Sequence, residues 1–488
     1  MLGALPAVWR LPLFLGLWVA SCGWSTSQAQ AQDELRAGSE PAAEAAVAAG
    51  PSLAELGAAV EEAKLAGHNA WMLTSCALVL FMTVPGLAMF YGGLVRRKNV
   101  LSVLMQCIFL MGLMTVIWGL YGYSLAFGGD GAYIGNGEYL LMKDVSRTWD
   151  ASAGAAVEPM EGAIPRLTHM AFQGMFFIIT PALICGAFAE RMKFSAMVVF
   201  SILWGTFVYC PLCHWVWDGG ILAYGGDNSW GGGALDFAGG TVVHISSGVS
   251  ALVCAMVIGR RRGFGAEDMR PHNLTYTAIG AGMLWVGWFG FNAGSELASD
   301  HLTSSAFVVT HFGAAAGVLA WSLYECLTRG APSVLGAASG AVAGLVCVTP
   351  AAGFVSPMSG LIMGAAGGIV CAWAVGMKGK LGYDDALDAF GVHGVGGTLG
   401  AVLTGVFATR AAWDIGEGKP LGLIEAGGWG DSVMGGQLCA TAVTWLFSLV
   451  ATWVLLMAIK ATIGLRISEE GERRGLDLTD HEEEGYLF

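Results

Sequence analysis

The sequence predicts an all-α, polytopic membrane protein, and three observations carry that reading. Of 488 residues, 55% are hydrophobic and only 12% are charged, where soluble domains carry about 25% charged residues. Mean hydropathy is +0.61. The 73 glycines are about twice the ordinary share and follow no collagen-like period, which suits close helix contacts in lipid. An ordinary soluble enzyme is excluded. So is a disordered chain, because apolar residues are too plentiful. The net charge of −13 sits in loops and tails. No basic stripe lies outside short loops, so nucleic acid is not an expected partner.

The elements follow in chain order. Arg10 and the apolar stretch 11–21, too short to span a bilayer, precede a small-residue cleavage site at Ala29-Gln30-Ala31. Residues 1–31 therefore read as a signal peptide of the bacterial export type, although Val19-Ala20-Ser21-Cys22 also fits a lipoprotein-type site. An Ala/Glu-rich extracytoplasmic leader covers 32–66. The membrane domain spans 67–463, with eleven apolar runs near 70–94, 99–127, 166–188, 194–217, 238–259, 273–294, 303–328, 334–352, 356–377, 390–409 and 432–463. Each is long enough to cross about 30 Å of hydrocarbon as a helix. Residues 464–488 form a cytosolic tail.

Basic residues set the direction. Arg96, Arg97, Lys98, Arg191, Lys193, Arg260, Arg261, Arg262, Arg270, Arg329, Lys378, Lys380, Lys460, Arg466, Arg473 and Arg474 fall on one side of this map. The other side holds Arg36, Lys64, Lys143, Arg147, Arg166, Arg410 and Lys419. The bias exceeds two to one, so the N-terminus is expected outside and the tail inside.

Two intramembrane histidines stand out, because ionisable groups are costly there. The fifth run opens Asp236-Phe-Ala-Gly-Gly-Thr-Val-Val-His244, and the tenth opens Asp385-Ala-Leu-Asp-Ala-Phe-Gly-Val-His393. Each places an Asp eight residues before a His. The sites are five runs apart, and an odd number of crossings reverses direction. Residues 70–259 and 273–409 therefore read as an inverted five-helix repeat, with 432–463 added, and such repeats place a site between their halves. A lone membrane histidine is usually a satisfied core residue; a pair at matched repeat positions points to function. The default role of Asp236 and Asp385 is to cap helix starts. His169, His214, His301 and His311 lack such pairing and read as structural. Cys210 and Cys213 form a C-x-x-C, but one pair cannot complete a zinc site. No metal and no cofactor are expected.

Two neutral imidazoles in an apolar lumen can hydrogen-bond a small polar solute, while a desolvated ion pays heavily. Aromatic faces can hold a cation, for about 0.5–2 kcal/mol per contact. Phe172, Phe176 and Phe177, then Trp215 and Trp217, then Trp288, Phe289 and Phe291 with Ser295 beyond, supply such faces.

At these residues the chain resembles the ammonium transporter (Amt/MEP/Rh) family, bacterial Amt type. Phe90-Tyr-Gly-Gly-Leu-Val-Arg96, Ala171-Phe-Gln-Gly174, Ala187-Phe-Ala-Glu-Arg191, the Asp236–His244 stretch, Trp288-Phe-Gly-Phe-Asn-Ala-Gly-Ser295 and Phe390-Gly-Val-His-Gly394 resemble its signatures. The likeness runs from about residue 66 to about 480. It implies eleven spans in an inverted repeat, a homotrimer with one pore per subunit, and a bacterial inner-membrane location. By position, Trp217, Ser295, Phe176 and Asp236 would form the ammonium-recruiting site, and Phe176 and Phe291 a phenyl gate. His244 and His393 would be the pore's twin histidines, with Phe172, Gln173, Tyr91 and Trp288 lining or supporting it. The tail would couple subunits, and a PII signalling protein would plug the cytosolic mouth. Ammonium, or ammonia with a separate proton relay, would pass; the protein would not be an enzyme.

The Gly-rich stretch 220–235, the acidic loop 128–165 and the leader before residue 66 depart from the family's pattern by their length. Two other readings stay open at this point. One is an ammonium sensor with little flux; the other is a haem-bearing redox membrane protein ligated by His244 and His393.

Overall fold

The computed structural model describes residues 51–486. The expected signal peptide and most of the leader lie outside the described residues. Eleven long helical segments follow: α1 Leu53–Leu94, α2 Arg97–Phe127, α3 Arg166–Phe188, α4 Phe194–Trp217 and α5 Gly240–Ile258. They continue as α6 Leu274–Ala293, α7 His301–Arg329, α8 Val334–Ala351, α9 Pro357–Leu381, α10 Phe390–Phe407 and α11 Met434–Thr462. Among the described residues, ten of these are long and apolar enough to cross a membrane. The exception is α6, whose four glycines, Thr275, Tyr276, Thr277 and Asn292 dilute its hydropathy. The protein is a mostly helical, multi-pass membrane protein.

Two boundaries differ from the sequence reading. The first helix starts at Leu53, not near 70, because the Ala/Glu/Leu-rich end of the leader has strong helix propensity. The loop 128–165 is not wholly irregular: Thr148–Asp150 pairs with Ala155–Val157, and Met160–Glu161 pairs with Ile164–Pro165, both antiparallel.

Glycines decide how closely the helices pack, as is usual where lipid removes the hydrophobic drive for association. A Cβ on Gly344 of α8 would stand 2.3 Å from the Gly313 carbonyl of α7, and one on Gly364 of α9 would stand 2.1 Å from the same oxygen. Three backbones thus converge at Gly313. A further close approach joins α5 to α10, where a Cβ on Gly248 would lie 2.0 Å from the Gly394 nitrogen. Both helices open with a π-helical turn, Gly240–Ile245 in α5 and Phe390–Gly394 in α10.

The loops after α1, α3, α5 and α9 gather at one end around buried charges. Glu190 accepts from the Arg96 nitrogen at 2.6 Å and from Arg96 Nε at 2.7 Å. Arg261 pairs with Asp384 at 2.8 Å and approaches Glu190 at 3.5 Å. Arg191 Nη2 donates to the Asp384 carbonyl at 2.5 Å. Burial alone would raise the Glu190 carboxyl; Arg261 and Arg96 outweigh it and hold it below its ordinary value. The tail docks on this end. Glu472 accepts from the Arg262 nitrogen and from Arg466 Nη2, each at 2.6 Å, and Asp477 accepts from the Ser102 nitrogen at 2.8 Å.

Gly248→Val should lower the thermal unfolding midpoint of the detergent-solubilised protein by at least the ~1–3 kcal/mol typical of core overpacking. Gly282→Ala, with nothing within 4 Å of its Cβ, should leave the midpoint unchanged.

Candidate functional site

Helices α5 and α10 meet where they begin. Asp236 precedes α5 and wraps its first turn. Oδ1 accepts from the Gly239 nitrogen at 2.8 Å and the Gly240 nitrogen at 2.6 Å; Oδ2 accepts from the Thr241 nitrogen at 2.8 Å, the Val242 nitrogen at 3.3 Å and the Thr241 hydroxyl. Its counterpart Asp385, before α10, is less well satisfied. Oδ2 accepts from the Phe390 nitrogen at 2.7 Å, while the buried Oδ1 meets no partner. Burial, then the neighbouring Asp388 carboxylate, push the Asp385 carboxyl up to about 6. Both aspartates cap helix starts, but unequally.

One helical turn or two further on, the histidines face each other. His244 Nδ1 lies 3.3 Å from His393 Nδ1, with ring planes within 19°, so one nitrogen donates and the other accepts. Their Cα atoms stand close because Gly248 lets the α10 backbone touch α5. His244 Nε2 is buried and has no hydrogen-bond partner among the described residues.

An aromatic chain leads from the pair toward the end of α4. The His244 ring is 5.5 Å from Trp288 and 5.9 Å from Phe291. Phe291 meets Phe176 at 4.3 Å; Phe176 meets Phe172 at 5.1 Å and Trp217 at 5.8 Å. Trp217 Nε1 donates to the Asp236 carbonyl at 2.9 Å, and Ser295 Oγ to the Phe291 carbonyl at 2.8 Å. Trp288 Nε1 donates to Thr349 Oγ1 at 2.9 Å. Tyr91 donates to the Leu183 carbonyl at 3.0 Å.

Cavities follow this chain. Trp217, Ser295, Phe176, Gln173, His169 and Phe237 line one of them, which stops at Phe176. Across the Phe176–Phe291 contact, a narrow cavity of about 10 Å³ is lined by Phe291, Trp288, His244, His393, Tyr91 and apolar side chains such as Ile179 and Leu183. It shares Phe90, Tyr91, Val342 and His393 with a third, of about 290 Å³, which reaches Arg261, Lys378 and Asp388. The middle cavity carries no acid and no base besides the histidines. A bare cation there would lose its hydration without compensation; a neutral polar solute can still hydrogen-bond.

Of the residues singled out from the sequence, Trp217, Ser295, Phe176, Gln173, Phe291, Trp288, Tyr91, His244 and His393 line these cavities, Asp236 lies beside Trp217 and Ser295 at the mouth, and Phe172 packs on Phe176. Phe177, Trp215 and Phe289 pack elsewhere, against Trp118, Phe447 and Phe307. Sequence reasoning missed Thr349, Phe237 and His169. His169 bonds Tyr123 at 3.0 Å and Gln173 at 3.4 Å. Its place four residues before Gln173, on the same helix face, was the available signal.

The histidine pair does not fit a haem. The macrocycle would have to lie between rings whose nitrogens are 3.3 Å apart, beside backbones in contact at Gly248 and Gly394.

The two aspartates make a paired test. Asp236→Asn turns one acceptor oxygen into a donor against two of the four N–H groups and should cost ~3 kcal/mol, read as a fall in the unfolding midpoint. Asp385→Asn keeps an acceptor for Phe390 and should cost less than about 1 kcal/mol.

Comparisons with known proteins agree with the fold. The model of the Ammonium Transporter Family matches residues 70–486. An ammonium transporter of Bacillus subtilis (strain 168) is 46% identical over 415 residues, covering 84% of this chain and 96% of the relative. One from Aquifex aeolicus is 45% identical over 429 residues, covering 87% and 95%. The crystal structure of Candida albicans Mep2 superposes with a TM-score of 0.74 at 31% identity, over 88% of this chain and 94% of that one. A solved Sensor Amt Protein gives the same TM-score at 24% identity, over 86% and 100%, a likeness of fold alone. The chain belongs to the ammonium transporter family.

Proposed function

We propose that the protein recruits ammonium at the mouth formed by Trp217, Phe176 and Ser295 and conducts it inward past His244 and His393. The observation that carries this reading is the run of cavities on both sides of the Phe176–Phe291 contact with the histidine pair in its narrow middle. Aromatic faces and a hydroxyl oxygen suit a small cation with N–H donors. Phe176 and Phe291 close the mouth as a gate. Ammonium gives up its proton there, ammonia crosses the apolar middle, and the proton passes separately along the imidazoles. Phe172, Gln173, Tyr91 and Trp288 shape the path. Asp236 holds the mouth by fixing the first turn of α5.

The same reading assigns the rest of the molecule. The N-terminus lies outside and the tail inside, which the basic loops at the tail's end of the structure support. The protein resides in a bacterial inner membrane as a homotrimer with one path per subunit, and a PII signalling protein docks over Arg261 and Lys378 at the inner mouth. These assignments rest on the family likeness. Transport is favoured over sensing because relatives at 40–46% identity carry the name ammonium transporter, while the likeness to the Sensor Amt Protein speaks for fold alone.

In proteoliposomes, ammonium-evoked current should saturate with concentration. Ser295→Ala should raise the half-saturating concentration, and His244→Ala should reduce the current or admit potassium. An unchanged ammonium current in His244→Ala with potassium still excluded would contradict the histidine's role.

A further inference from the structure

His214, on the last turn of α4, is fully buried, and every group within reach of its ring accepts hydrogen bonds. Nε2 contacts the Gly131 carbonyl. Nδ1 lies 3.2 Å from the Ala126 carbonyl and 2.9 Å from Asp218 Oδ2, an oxygen with no other partner. A neutral imidazole carries one N–H and one lone pair, so it would aim that lone pair at an oxygen. Only the imidazolium donates from both nitrogens. The other ionisable groups acting on Asp218 are Asp130 and Glu161, both acidic, and Tyr123 and Cys213 are electrostatically linked to it.

The ring joins two segments that the backbone alone holds loosely. Ala126 and Gly131 belong to the end of α2 and the loop after it; Asp218 begins the turn that leaves α4 directly after Trp217. The Asp218 and Gly220 nitrogens both donate to the His214 carbonyl at 3.2 Å. Trp215 Nε1 donates to the Tyr133 carbonyl at 2.6 Å, and the Ile221 nitrogen to the Ala132 carbonyl at 3.2 Å. Four contacts cross between the two segments, and the side chain of His214 supplies two of them, to Ala126 and Gly131, while also pairing with Asp218 on its own segment.

We propose that His214 is a doubly protonated positioning residue that rivets the loop after α2 to Asp218 and thereby sets Trp217 at the ammonium mouth. This role rests on Trp217 lining that mouth. A buried ion pair of this kind loses its value once either partner is made neutral, because the remaining charge is left uncompensated.

Two measurements on the full chain in lipid test it. With ¹⁵N-labelled histidine, solid-state NMR at pH 7 should show both His214 nitrogens protonated, the signal being identified by its loss in His214→Gln or its shift in Asp218→Asn. A neutral ring overturns the proposal. In ammonium-evoked current, His214→Gln and Asp218→Asn should each raise the half-saturating concentration several-fold while keeping the maximum within about twofold, the mark of lost binding rather than lost conduction. Unchanged half-saturation in both variants overturns the positioning role; if His214→Gln does not fold, Asp218→Asn decides alone. Absence of ammonium current in the unmodified protein would contradict the ammonium reading instead, and the NMR signal would still decide the charge of His214.

Discussion

The backbone contact between Gly248 and Gly394 is the constraint on which the rest of the site depends. Any side chain at Gly248 would occupy the space of the α10 backbone. With hydrogen there, the first turns of α5 and α10 lie side by side, and His244, one turn before Gly248, comes within hydrogen-bond distance of His393, directly before Gly394. The π-helical opening of each helix widens that turn and aims the imidazole at its partner. The aromatic chain then follows from α6 and α3 packing around the pair.

The two ends of the path are built by different physics. At one end a single carboxylate, Asp236, satisfies the free N–H groups of α5 and leaves Trp217 anchored on its carbonyl. At the other end guanidiniums and carboxylates from four loops neutralise one another, and the tail adds Glu472 and Asp477 to the set. Between the two polar ends the middle is mostly apolar: Tyr91 and Trp288 donate to Leu183 and Thr349, and the two imidazoles are left facing the narrow cavity.

Much of this was legible in the sequence. The Asp-x7-His spacing, repeated after an odd number of apolar runs, singled out both histidines that the structure brings together. The runs matched the helices because apolar length is set by the membrane rather than by neighbours. What stayed hidden depends on packing across the chain. No local pattern says which of Phe172, Phe176 and Phe177 faces the cavity, that Thr349 receives the Trp288 N–H, or that Asp385 keeps an unsatisfied oxygen where Asp236 keeps none. His214 read as structural because its three acceptors, Ala126, Gly131 and Asp218, come from two segments of the fold. The start of α1 at Leu53 was obscured by a composition that suits a solvated helix as well as a leader.

The central claim is that a narrow apolar cavity closed by two phenyl rings and furnished with two imidazoles passes ammonium nitrogen and refuses a bare cation of similar size. The direct test is the current evoked in proteoliposomes of the unmodified protein by ammonium and by potassium at equal concentration and equal driving force. A saturable ammonium current with no potassium current is the predicted result. A potassium current of comparable size would contradict the account.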